Sequence, residues 1–179
     1  GADNDTLEID HSDWTTMPAG FVGEANLADG WVGEHLNPTA VGTDSVSLIE
    51  NITLYGDVDY VVRGDTQDNI LVTKGGDDKL YGGDGDDILK SGAGDDEVYG
   101  EGGNDTIIQN GSGTQYYDGG AGNDTLQVDT TYITTELNSS YPNSISIDLA
   151  AGHVGQTNNT YLRDTFDNIE NATYIGDFD

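Results

Sequence analysis

The chain has 179 residues, with 34 acidic against 5 basic side chains for a net charge of −29, 26 glycines, no cysteine and only 34% hydrophobic residues. Phosphate recognition needs clustered Lys or Arg, so nucleic acid and anionic membrane surfaces are excluded as partners, and no apolar run approaches the ~18 residues of a transmembrane helix. Low hydrophobicity and self-repelling charge leave the chain unable to fold alone, and without thiolates the missing stabiliser is a hard cation held by oxygen atoms: calcium, which takes about six to eight oxygens in tolerant geometry, suits better than magnesium.

The chain opens on GADNDTLEID, Gly1 to Asp10, with no basic-then-apolar leader at Gly1. After a strand-rich stretch containing NLADGWVGE from Asn26, the segment IENITLYGDVD (Ile49 to Asp59) leads into a run rich in glycine and aspartate. From Arg63 to Gln127 this run reads RGDTQDNIL, TKGGDDKLY, GGDGDDILK, SGAGDDEVY, GEGGNDTII, QNGSGTQYY and GGAGNDTLQ, with single extra residues placed at Val72 and Asp118. Its sixth position holds Asp68, Asp78, Asp87, Asp96, Asp105, Thr114 and Asp124, and its eighth holds Ile70, Leu80, Leu89, Val98, Ile107, Tyr116 and Leu126. A flexible acidic linker has no reason to keep an apolar residue two places after nearly every aspartate.

Glycine permits the backbone angles of a tight turn, lets carbonyls converge on an ion and leaves room for stacked turns. The aspartate supplies negative charge, and the next three residues form a short strand whose middle side chain points inward. The acids at the fifth position, Asp77, Asp86 and Asp95, read as solvated surface charge.

These nonapeptides match G-G-x-G-x-D-x-U-x, and GGDGDDILK matches it in full, so the stretch resembles the calcium-binding repeat of the RTX (repeats-in-toxin) family. The resemblance implies an all-β fold: a right-handed parallel β-roll, a β-helix or solenoid with calcium-filled turns, in which two nonapeptides make one coil. It places Asp68, Asp87, Asp105 and Asp124 along one edge as calcium ligands and Asp59, Asp78 and Asp96 along the other. Carbonyl-bearing turn glycines Gly76, Gly83, Gly85, Gly92, Gly94 and Gly103 join them, giving several structural Ca2+ ions. Thr114 departs from the pattern, so the site between the Asp96 and Thr114 turns is expected to be weak or empty.

A longer repeat overlies the short one. GADNDTLEID returns as GAGNDTLQVD at Gly120 to Asp129, NLADGWVGE as DLAAGHVGQ from Asp148, and IENITLYGDVD as IENATYIGDFD at Ile169 to Asp179. The chain is thus about one and a half copies of a unit of roughly 120 residues, expected to be a piece of a longer array. Residues 1–53 form a first insertion and strand segment, 54–127 the nonapeptide roll, and 128–179 a second, partial insertion segment. Within SISIDLAAG (Ser144 to Gly152), alternation places Ile145, Ile147 and Leu149 on one face of a strand that continues the roll.

His11, His35 and His153 share no metal-ligand spacing, and His153 aligns with Trp31, so surface or packing roles are expected. No nucleophile and base set is available, and carboxylates that hold calcium are poor bases, so no enzyme active site is expected in this chain. Tyr81, Tyr99 and Tyr117 should stack with Val62 on an outer face, as a stabilising ladder or as a sticky stripe for a partner. Asn51, Asn138 and Asn171 begin N-x-S/T sequons.

Calcium-coupled folding of a secreted, extracellular or cell-surface bacterial protein follows from the resemblance, as a repeat of a stiff rod, adhesin, surface-layer or fibre element. The alternative is a C-terminal secretion and folding module of a secreted protease, lipase or epimerase. The expected partners are calcium and further copies, end to end or through the Tyr81, Tyr99 and Tyr117 face.

Overall fold

The computed structural model describes residues 4–12, 21–36, 39–45, 48–129, 145–156 and 163–175. The equivalence drawn between Asp179 and Asp59, the start of the Ser144 strand and the Asn138 sequon lie outside the described residues.

Seventeen strands and no helix occur among the described residues. They begin with β1 (Thr6–Asp10), then β2 (Phe21–Asn26), β3 (Trp31–Leu36) and β4 (Thr39–Ser45). The repetitive run supplies β5 (Asn51–Tyr55), β6 (Tyr60–Arg63), β7 (Ile70–Val72), β8 (Lys79–Asp84), β9 (Ile88–Lys90), β10 (Glu97–Gly102), β11 (Thr106–Gln109), β12 (Tyr116–Asp118) and β13 (Thr125–Asp129). The last four are β14 (Ile145–Asp148), β15 (His153–Gln156), β16 (Arg163–Asp167) and β17 (Asn171–Ile175).

Successive strands of the run alternate between two sheets. One sheet has the order β1-β5-β7-β9-β11-β13-β17, and the other β14-β15-β16-β12-β10-β8-β6-β2-β3-β4. Partners such as Leu71↔Leu89 and Leu80↔Val98 are parallel and 18 residues apart, so two nonapeptides close one coil and the fold is a parallel β-roll.

The strands of the run send their buried apolar side chains into a thin core. Ile52, Leu71, Leu89, Ile107 and Leu126 line one wall, and Ala25, Val62, Leu80, Val98, Tyr117 and Phe166 line the other, all buried. A fully buried aliphatic side chain is worth roughly 1.5–3 kcal/mol. With so few per coil, apolar burial cannot hold this acidic backbone together unaided.

The core column corrects the repeat register. Val62, Leu71, Leu80, Leu89, Val98 and Ile107 follow at steps of nine, the next step to Tyr117 is ten, and Leu126 follows nine later. The extra residue therefore lies between Ile107 and Tyr117, not at Val72 or Asp118. Ile70 points outward at 36% exposed while Leu71 is fully buried, and Tyr117 rather than Tyr116 enters the core. Both mistaken positions lie in apolar pairs, Ile70-Leu71 and Tyr116-Tyr117, where composition cannot tell the inward residue from the outward one. Pairing with the neighbouring strand decides, through Ile52↔Leu71 and Val98↔Tyr117.

The two insertions enter the same sheet as antiparallel hairpins. β2 and β3 close around Asn26↔Trp31, and β14 and β15 around Asp148↔His153, with Gly30 and Gly152 at φ 68° and 65°. Strand β14 ends at Asp148, because the Asp148 carboxylate accepts the Ala150 and Ala151 N–H groups at 3.1 and 3.0 Å and turns the chain. Leu149 is therefore 44% exposed in the turn and does not share the face of Ile147, which packs partly against the core.

Candidate metal centre

The turns between strands stack as tightly as the strands. Six glycines singled out in the sequence, Gly76, Gly83, Gly85, Gly92, Gly94 and Gly103, have φ between 86° and 141°, a region that penalises any side chain. At Gly103 a Cβ would also overlap the carbonyl oxygen of Gly85 one coil below, and at Gly94 that of Gly76. Peptide carbonyls are thus packed against the next turn with no side chain between.

Four carboxylate ladders run along these turns, two buried and two exposed. In one buried ladder, Oδ1 of Asp87 accepts the Asn69 N–H at 2.7 Å, Asp105 accepts from Asp87 at 2.8 Å, and Asp124 accepts from Asp105 at 2.8 Å. In the other, Asp78 accepts the Tyr60 N–H at 2.8 Å, Asp96 accepts from Asp78 at 2.9 Å, and Asp164 accepts from Gln115 at 3.1 Å.

Asp59 and Asp68 belong to the exposed ladders. Asp59 accepts from Asp77, Asp77 from Asp95, and Asp95 from Thr114, while Asp68 accepts from Asp86, Asp86 from Asn104, and Asn104 from Asn123. The expectation that Asp68 lines an edge with Asp87 and Asp59 with Asp78 is therefore corrected by one residue. Tyr60 and Asn69 hold the buried positions instead, and Gln115 rather than Thr114 faces inward. The fifth-position acids Asp77, Asp86 and Asp95 are exposed, and each also caps a backbone N–H of the following coil.

One oxygen of every buried aspartate in the array remains. Oδ2 of Asp78, Asp87, Asp96, Asp105 and Asp124 is buried without a hydrogen-bond partner. A Cβ on Gly82 would overlap Oδ2 of Asp87, and one on Gly100 would overlap Oδ2 of Asp105, so these oxygens lie close under turn backbone. The Thr73 hydroxyl is near Asp78 and the Ser91 hydroxyl near Asp96, and that of Thr73 gives its proton to Ser91 O at 2.8 Å.

Burial raises the carboxyl pKa to about 8 for Asp78, about 7 for Asp87 and about 6 for Asp96 and Asp105, with neighbouring carboxylates adding to the shift. Asp124 is raised for the same reason. Burial also pushes Asp164 up to about 7. An ionised, desolvated carboxylate oxygen that no N–H satisfies needs a cation.

The donor set fits a hard cation with many oxygen ligands: a carboxylate from each buried aspartate of the array and carbonyls from the glycine turns. Among the described residues no group of three or more His, Cys, Asp or Glu side chains converges, so carbonyls must supply most of the shell. Asp87, Asp105 and Asp124 would serve one edge and Asp78 and Asp96 the other.

Sequence reasoning missed Asn69, Gln115 and Asp164 as occupants of the buried ladder positions. Asp164 carried a signal: it stands two places before the buried Phe166, the same aspartate-x-apolar spacing as Asp87 and Leu89. Of the histidines, His153 is exposed and His11 packs against a ring. His11 Nδ1 lies 2.7 Å from the Tyr60 hydroxyl, with the two rings stacked.

The outer stripe is also revised. Arg63 lies 4.1 Å over the Tyr81 ring, Tyr81 stacks on Tyr99 at 5.1 Å, and Tyr99 tilts against Tyr116 at 5.9 Å, while Tyr117 and Val62 are core residues.

The model of the RTX calcium-binding nonapeptide repeat, which spans four copies, matches residues 63–98, 81–108 and 110–128. No curated protein matches the chain.

Proposed function

From the premise that this chain carries RTX calcium-binding nonapeptide repeats and belongs, over residues 63–108 and 110–128, to that repeat family, we propose that it is a calcium-organised structural repeat of a secreted extracellular protein. Stacked units make a stiff rod, adhesin, surface-layer or fibre element. Calcium supplies positive charge between turns, and the chain's own residues do the rest. Glycines admit the carbonyls, aspartates provide the charge and cap the adjoining coil, and aliphatic side chains close the core. Binding free energy then becomes folding free energy.

One observation carries the structural role: both ends of the repeat unit use one junction. The Asp5 N–H donates to Glu50 Oε2 at 2.8 Å, and the Asp124 N–H donates to Glu170 Oε2 at 2.8 Å. Asn51 Nδ2 reaches Asn4 Oδ1 at 2.7 Å, as Asn171 Nδ2 reaches Asn123 Oδ1 at 3.0 Å. β1 pairs with β5 as β13 pairs with β17, with Thr6↔Asn51 and Thr125↔Asn171 in matching register. Residues 1–53, 54–127 and 128–179 are accordingly proposed as insertion, roll and second insertion of one continuous solenoid, and the ions as structural rather than catalytic.

The test is the full-length gene together with electron microscopy of the native protein. Many tandem copies and rod-shaped particles are expected. A single array behind a catalytic domain would instead make it an accessory module of a secreted enzyme.

A further inference from the structure

The buried ladder of Asp78 and Asp96 changes chemistry at its next step. The residue there is Gln115, 1% exposed, which keeps the backbone part of the pattern by donating its N–H to Asp164 Oδ1 at 3.1 Å. Its side chain differs from the aspartates: Nε2 donates to Gly94 O at 2.8 Å and to Ser112 O at 3.1 Å.

Gly94 O is one of a series. The carbonyls of Gly76, Gly85, Gly94 and Gly103 each lie under the glycine one coil on, at Gly94, Gly103, Gly113 and Gly122. In the regular coils these turns are accompanied by an aspartate with an unpartnered buried oxygen; in this one an amide N–H2 has entered. A second buried amide, Gln109, donates from Nε2 to Gly111 O at 3.1 Å in the same turn.

We propose that the side-chain amide of Gln115 takes the place of a calcium ion between the Asp96 turn and its own. The inference rests on the calcium reading of the regular turns. A cation gathers carbonyl oxygens by outweighing their mutual repulsion. An amide nitrogen does so with two polarised protons, one for each carbonyl, and brings no charge that needs neutralising. Gln115 Oε1, Gln109 Oε1 and Asn110 Oδ1, all buried without a partner, are neutral oxygens, so this turn adds no carboxylate of its own to draw calcium as the others do.

The ion row along the Asp78 edge is therefore interrupted at this coil, while the row along Asp87, Asp105 and Asp124 runs on. The turn at Gln115 is held by amide hydrogen bonds where its neighbours are held by an ion.

The isosteric change Gln115→Glu tests this, because it replaces the two donors with a second carboxylate oxygen in an otherwise identical shape. Calcium stoichiometry of the whole chain is measured at saturation by native mass spectrometry and by titration calorimetry. Gln115→Glu is expected to bind one more ion than the wild type, and Gln115→Asp provides the same reading if the glutamate does not fold. Gln115→Ala is expected to keep the wild-type count while needing more calcium to fold. A folded Glu or Asp variant with the wild-type count overturns the proposal, and so does an Ala variant that loses an ion, since the amide oxygen would then be a ligand. A wild type that binds no calcium overturns the calcium reading and this inference with it, so the two failures are told apart by the wild type alone.

Discussion

The backbone N–H of Asp87 donates to Oδ1 of Asp105 at 2.8 Å while Oδ2 of both carboxylates stays buried without a partner. Each aspartate thus divides its two oxygens: one closes the hydrogen-bond ladder along the roll and the other faces turn carbonyls. The first is satisfied by the protein alone, and the second requires a cation or a proton.

In chelator at neutral pH the chain is predicted to be mostly coil, and addition of calcium should raise β-structure in circular dichroism. Five buried carboxylate oxygens without donors, on a chain of net charge −29, oppose closure until the ion arrives. Equal spectra in chelator and in calcium would rule the mechanism out.

Protons should substitute in part for calcium. The folded-state pKa values of Asp78, Asp87, Asp96 and Asp105, at about 8, 7, 6 and 6, lie above the ordinary value of 3.8. The metal-free roll therefore holds more protons than the coil across that interval, and its stability falls as pH rises. It is most favoured near and below the ordinary carboxylate pKa and is lost as pH passes through 6 to 8. In chelator, acidification from pH 8 towards 4 should increase β-structure, and calcium affinity should weaken over the same range. A metal-free chain that gains β-structure as pH rises would contradict this.

Asp87→Ala should weaken calcium-induced folding several-fold in midpoint concentration and remove the N–H acceptor for Asn69. Asp86→Ala and Asp68→Ala remove exposed caps and should cost at most about 1 kcal/mol each. Calcium titrations followed by tyrosine fluorescence would measure all three. An Asp68 variant as damaging as the Asp87 variant would restore the register read from spacing alone.

The core register has its own test. Leu71→Ala should cost about 2–5 kcal/mol as a large-to-small change at a fully buried site, and Ile70→Ala, at 36% exposed, less than about 1 kcal/mol. Denaturant unfolding at saturating calcium measures the difference, and the reverse order would place Ile70 inside.

Much of the buried site was legible because chemistry and period coincide there. Asp78, Asp87, Asp96, Asp105 and Asp124 each stand two places before an inward aliphatic residue, and the structure buries all five. Misreading arose at Asp68 and Thr114, where doubled apolar residues allow two registers. It arose also at Leu149, where a turn capped by Asp148 ends the strand. In these places the local pattern is degenerate, and long-range pairing is what separates the alternatives.

The nonapeptide period, the oxygen-only ligand chemistry and the need for a cation are properties of the sequence by itself, because they follow from which residue types recur and how much charge they carry. Tertiary structure alone decided which oxygens are left unsatisfied, that Asn69 and Gln115 occupy aspartate positions, and that Asp164 extends a buried ladder from outside the repeats. Those outcomes depend on which backbone N–H lies opposite which side chain one coil away, and the stacking of coils is what determines it.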